Sequence, residues 1–210
     1  MRVLLSIALA CAAFGQARVP QFEGASDVGN PAHKGSVTFD AATKEYRVTG
    51  GGNNIWGAKD DFFFVWRKIS GPVIITANLK LVSDGAPHRK AGLMIRKDLT
   101  TGSPYADVMV HGSGLTGLQW REAANAVTRG VQIPLESPTT IRLERRGNWI
   151  TLWGGNGDGP PREWVSTQVN LGDPVYIGLA VCAHDDKAQL TAAFSGLNIE
   201  APPSTPAKKR

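Results

Sequence analysis

The feature that most constrains this chain is alternation with a period of two. Ile75, Ala77, Leu79 and Leu81 alternate with Thr76, Asn78 and Lys80, and Leu118 and Trp120 alternate with Gln119 and Arg121. A helix repeats every 3.6 residues and cannot put such a set on one side, whereas an extended strand does so at every second residue. Phe62, Phe64 and Trp66, set against Phe63 and Val65, read the same way, with the first three taken as the core-facing set. Further strands are expected over 36–39, 45–49, 91–96, 105–111, 140–145, 149–153, 174–183 and 189–199. Turn chemistry separates them, as in Gly50-Gly51-Gly52-Asn53-Asn54 and Arg146-Gly147-Asn148. Residues 122–126 fit either one short helix or a hairpin loop. With 24 glycines and 13 prolines in 210 residues and no collagen-like period, the chain predicts one all-β domain, a two-sheet antiparallel sandwich.

The ends read differently. Arg2, the apolar run 3–14 and the small residues Gly15 and Ala17 have the anatomy of a secretory signal, which predicts a signal peptide over 1–17 and a domain over 18–200. Cleavage before Cys11 for acylation is the alternative, but Leu9 is ill placed for it. No apolar stretch reaches the roughly 20 residues of a membrane-spanning helix. A secreted or periplasmic location is expected. Past the signal Cys182 is the only cysteine, so no internal disulfide can form, and its apolar neighbours suggest a buried thiol. Residues 201–210, Pro-rich and ending Lys208-Lys209-Arg210, predict a disordered tail. The net charge of +5 is scattered over small groups, which argues against nucleic acid as a partner.

The order of segments carries a resemblance. Phe22-Glu23-Gly24-Ala25-Ser26-Asp27-Val28-Gly29, Gly35-Ser36-Val37 and Tyr46-Arg47-Val48-Thr49-Gly50-Gly51-Gly52 lead to Ile55-Trp56. Then come Asp60-Asp61-Phe62-Phe63-Phe64-Val65-Trp66, Lys90-Ala91-Gly92-Leu93-Met94-Ile95-Arg96, Leu118-Gln119-Trp120-Arg121, Leu143-Glu144-Arg145 and Tyr176-Ile177-Gly178-Leu179-Ala180-Val181. The set resembles bacterial concanavalin A-like domains of unknown function, related to regulation-of-enolase-type and β-xylosidase C-terminal-type modules. That resemblance spans about residues 22–200 and implies a jelly roll exported by a bacterium. Phe63 departs from it, standing where a histidine is expected.

In that arrangement Arg96, Asp107, Met109, His111, Gln119 and Arg121 fall opposite the core, with Phe63 and Val65 beside them. A concave, solvent-facing surface of this composition suits sugars, because planar donors read hydroxyls and flat rings cover pyranose faces. The competing reading is an Arg96–Asp107 ion pair across strands, with the others merely half-exposed. Trp56, after the glycine-rich turn, and Trp164, placed in the loop 154–163 and its flank, either stack on a ligand or seal a sheet edge.

Catalysis has little support. A glycosidase needs two carboxylates flanking the scissile bond, and no Glu-x-Asp-x-x-Glu pattern occurs; a serine hydrolase elbow, Gly-x-Ser-x-Gly, is also missing. His33, His88, His111 and His184 show no metal-ligand spacing. No cofactor is expected, although calcium stays open through Asp27, Asp60 and Asp61. The expectation is a non-catalytic binding module for carbohydrate or another extracellular polymer, with Arg96, Asp107, His111, Gln119, Arg121, Phe63 and Trp56 at its site. The alternatives are a module that binds an envelope protein and, behind it, a hydrolase with an unrecognised site.

Overall fold

Strand pairing follows the alternation almost throughout. The computed structural model describes residues 19–157 and 159–203; the expected signal segment and residues 204–210 lie outside the described residues. Fifteen strands are present: β1 (Gly24–Val28), β2 (Ser36–Asp40), β3 (Glu45–Gly50), β4 (Asn54–Trp56), β5 (Lys59–Ile69), β6 (Val73–Leu81), β7 (Lys90–Arg96), β8 (Tyr105–His111), β9 (Thr116–Arg121), β10 (Arg129–Ile133), β11 (Thr140–Arg146), β12 (Trp149–Gly155), β13 (Arg162–Gln168), β14 (Val175–Cys182) and β15 (Leu190–Glu200). Among the described residues there is no helix, and 122–126 is a loop with a turn. Among the described residues no helix is therefore long and apolar enough to cross a membrane.

The strands form two antiparallel sheets. The first runs β1-β5-β14-β7-β8-β9-β10 with β4 paired to the start of β5, and the second runs β13-β12-β11-β6-β15-β3-β2. Between them lies the main core, to which β7 gives Ala91, Leu93 and Ile95, β8 gives Ala106, Val108 and Val110, and β14 gives Val175, Ile177, Leu179 and Val181. Because side chains alternate along each strand, the remaining residues of the first sheet must face away from the second.

In most sandwiches that outer face meets water. Here it is covered. Ile55, Phe62, Phe64, Met94, Tyr105, Met109, Ala180 and Cys182 make a second buried apolar cluster on it, so β4 lies across the sheet and closes it over. The expected register of β5 is accordingly reversed: Phe63 and Val65 enter the main core, while Phe62 and Phe64 join the second cluster and Trp66 packs against it. With apolar residues at five consecutive positions, 62–66, alternation carries no sign, and both faces of β5 are buried.

At the centre of this sheet Gly178 sits between Trp66 of β5 and Met94 of β7. A Cβ there would stand 1.8 Å from the Val65 carbonyl oxygen. Backbone cannot yield as a flexible side chain can. Gly178→Ala is therefore expected to destabilise the fold by about 1–3 kcal/mol, read from urea unfolding; an unchanged midpoint would remove this close approach as a constraint.

Candidate functional site

The sequence places Arg96, Asp107, His111, Gln119 and Arg121 on one face, and the structure does bring them to that face. Met94, Asp107, Gln119 and Gly130 occupy one cross-strand row; Arg96, Tyr105 and Arg121 occupy the next. The expectation of a solvent-facing concavity is nevertheless not met. Arg96, Asp107 and Arg121 are 0 % exposed, His111 5 % and Gln119 6 %. Three pieces of chain lie over them: β4, the segment 97–104 and the segment 122–128.

Asp60 explains why that cover stays down. Its carboxylate takes both hydrogen bonds of the Arg121 fork, Nη1 to Oδ2 at 2.8 Å and Nη2 to Oδ1 at 2.6 Å, and lies 3.5 Å from Nη2 of Arg96. The two guanidiniums also donate to backbone carbonyls of the cover, while Nη1 of Arg96 is directed at the Met94 sulfur. Arg121 reaches Ala126, Ser103 and Gly57, and Arg96 reaches Asp98 and Thr100. Each also lies over an aromatic ring, Arg96 on Phe62 and Arg121 on Tyr105. A bidentate, fully desolvated lattice of this kind holds structure in place. Arg96 and Arg121 are thus interior fasteners and not ligand contacts, and the partner of Arg96 is Asp60, not Asp107.

Phe63 is corrected as well, since its ring packs in the main core under Gly35. The three aspartates considered for calcium have the following partners, with Oδ1 of Asp61 left without one among the described residues. Asp60 holds the arginines, Asp27 accepts from the Gly35 amide and faces Lys34, and Asp61 accepts from the Asn53 amide. Among the described residues no group of three or more His, Cys, Asp or Glu side chains is arranged to hold a metal ion.

Other polar groups under the cover are unmatched. Both carboxylate oxygens of Asp107, Oε1 of Gln119 and Nε2 of His111 are buried without a hydrogen-bond partner among the described residues. Burial pushes the Asp107 carboxyl well above its usual range, with the Lys90 charge opposing. Lys90 is itself buried, and its ammonium donates to Asn54 Oδ1 at 2.8 Å. Burial lowers its pKa. Cys182 is a buried thiol as expected, donating to the Gly52 carbonyl, with a pKa pushed up to about 12 by burial.

Three histidines scattered in the sequence converge at one end of this face, an arrangement that spacing could not reveal. Nδ1 of His88 lies 3.3 Å from Nδ1 of His111, and the His88 ring also packs edge-on against His184. Burial, Lys90 and the other two histidines hold His111 at a pKa of about 3.

Trp56 marks the other end. It is 41 % exposed, and its indole lies on Gly130 of the edge strand β10, where a Cβ would meet the ring at 3.2 Å. Gly130 is the register partner of Gln119. The indole is the nearest side chain above this glycine, which places it on the flank of Gln119. Trp164 belongs to β13 and not to a loop; its Nε1 donates to the Gly154 carbonyl, and Arg162 stacks on its ring.

No family model matches the chain, and no curated protein matches it in sequence. Solved structures do match. A functionally unknown protein from Saccharomyces cerevisiae superposes with a TM-score of 0.65 at 14% identity, over 86% of this chain and 97% of that one. A carbohydrate-binding module from Bacillus subtilis gives 0.56 at 13% identity, over 86% and 98%. An immunostimulatory antigen and pseudo β-1,3-glucanase of Mycobacterium tuberculosis gives 0.52 at 11% identity, over 76% of each chain. The fold is that of concanavalin A-like lectins, glucanases and carbohydrate-binding modules. At these identities the likeness concerns architecture, and function must be argued from the site.

Proposed function

We propose that this protein is an exported, non-catalytic carbohydrate-binding module that takes its sugar at the β10 end of the covered face, between Trp56 and Gln119. One observation carries the reading. A buried amide oxygen, Gln119 Oε1, lacks a partner among the described residues and stands beside a glycine roofed by a half-exposed indole. An unpaired buried acceptor costs about 1–3 kcal/mol, which a sugar hydroxyl would recover. The displaced indole offers a flat apolar face for a pyranose.

Two further points support it. The fold is shared with a carbohydrate-binding module and with a lectin complexed with galactose. The carboxylates that the structure puts on this face are Asp60, clamped by two arginines, and Asp107, out of contact with solvent, so neither is free to flank a glycosidic bond as acid or base. The pattern over residues 1–17 supports export.

A panel of soluble and insoluble polysaccharides tests the reading. Binding to at least one is expected, with Trp56→Ala and Gln119→Ala each weakening it about tenfold or more, equivalent to about 1.4 kcal/mol, while the melting temperature barely moves. Failure to bind any glycan would refute it. So would binding that neither substitution weakens.

A further inference from the structure

The first sheet ends at β10 in an edge that no strand of this chain takes up. Other edges of the sandwich are guarded. β1 and the residue before β2 are joined, the Gly35 amide donating to Asp27, and β13 carries a bulge together with the charges of Arg162 and Glu163. Bulges and charges are how natural edges refuse a foreign strand. β10 has neither a bulge nor a proline, and its one charge, Arg129, stands at its first position and pairs with Glu122 at 3.3 Å. Apolar surface gathers here as well. Of the five large hydrophobic side chains that are exposed among the described residues, three lie at this edge: Trp56 over Gly130, Val127 at 69 % and Val131 at 41 %. Together they present roughly 300 Å² of apolar surface to water, in the range of patches that mark interaction sites.

The backbone says which groups are on offer. A Cβ on Gly117 would stand 2.6 Å from the Val131 carbonyl oxygen, so Val131 turns its backbone toward β9. Direction alternates along a strand, and the N–H and C=O groups of Gly130 and Gln132 therefore point outward. Apart from the β9 ladder, no hydrogen bond engages the backbone of residues 129–133 among the described residues. Val131, opposite Leu118, lies on the main-core side of the sheet, and Gly130, opposite Gln119, on the covered side.

We propose that a second copy of this chain fills the edge, β10 pairing antiparallel with β10 about a two-fold axis through Val131. In this register Gly130 of each copy stands opposite Gln132 of the other, so the outward groups satisfy one another and the two Val131 side chains meet in the close, non-hydrogen-bonded pair. Arg129 falls opposite Ile133, and no like charges face each other. Other registers are worse. Centring the axis on Gly130 would drive the two Trp56 indoles together, and a slip of one residue would set the main-core side of one copy against the covered side of the other. The paired edges bury about 1,000 Å² in total, the lower end for a specific complex, which makes the dimer a reversible one. Because the axis is perpendicular to the sheet, the face bearing Trp56 and Gln119 runs on into the same face of the second copy. On the sugar reading, two sites then lie side by side on one polymer, which raises avidity without a new contact. The pairing itself needs no sugar, so the dimer and the sugar reading fail independently.

Sedimentation equilibrium of the purified chain decides the matter. The mass should rise from that of one chain at about 1 µM toward twice that value at about 200 µM, as a small interface requires. Two substitutions locate the contact. Gln132→Pro removes an outward N–H that the β9 ladder does not use, and Val131→Lys sets two charges on the axis. Each is expected to stay monomeric at the higher concentration, with a melting temperature within about 2 °C of wild type. Without any substitution, the amides of Gly130 and Gln132 should exchange with deuterium more slowly in the concentrated sample than in the dilute one. A wild-type chain that is monomeric at both concentrations overturns the proposal and leaves the edge to a strand of another protein. So does a dimer in which those two amides exchange as fast as in the monomer, or one that both substituted chains retain.

Discussion

Asp60→Ala is expected to destabilise the protein by about 3–5 kcal/mol, enough to lower the melting temperature by roughly 10 °C. The size follows from what the substitution strands. Removing a surface carboxylate lets its partner turn to water, but Arg96 and Arg121 have 0 % side-chain exposure and cannot turn. Two guanidiniums would be left with carbonyl oxygens and no countercharge. The loss should also spread, because Arg121 ties Gly57, Ser103 and Ala126 into one cover. Hydrogen exchange in 97–104 and 122–128 should therefore accelerate together in Asp60→Asn, which keeps the shape while dropping the charge. Calorimetry on both variants checks this. A destabilisation under about 1 kcal/mol would mean that the lattice is tolerated and does not hold the cover.

The same lattice shows where sequence reasoning reached its limit. Alternation in β7, β8 and β9 correctly assigns Arg96, Asp107, His111, Gln119 and Arg121 to a shared face, because strands with one strictly apolar side admit a single register. Burial of that face was not legible. Asp60 stands next to Asp61 before an apolar run and reads as a turn carboxylate, and nothing local announces that two arginines 36 and 61 residues away will close on it. Short or edge strands escaped for another reason. β4 has three residues, and β10 and β13 are largely exposed, so neither has an apolar side for a pattern to display. At β5 the failure was an excess of signal, since five consecutive apolar residues suit either register. The resemblance fixed the architecture, yet it could not say that β4 would lie across the face it was expected to leave open.

The histidine end of that face makes the remaining large effect one of pH. His111 is held neutral in the fold, with a pKa of about 3 against about 6.5 when exposed, because it is buried and faces Lys90, His88 and His184. The same causes lower His184. Between these two values the unfolded chain binds a proton at position 111 that the folded chain refuses. Stability therefore rises with pH in this window, is complete above about 6.5, and is lost as pH falls toward 3. Each pH unit is worth at most about 1.4 kcal/mol, so acidification from pH 7 to pH 4.5 should remove about 2 kcal/mol through this ring alone. Carboxylates also titrate at the low end, which is why the informative quantity is a difference. Wild type and His111→Asn should converge in urea stability as pH falls from 7 to 4.5, the variant losing about 2 kcal/mol less. Parallel stability curves would mean that the imidazole protonates in place, with its two histidine neighbours and Lys90 moving aside to let it.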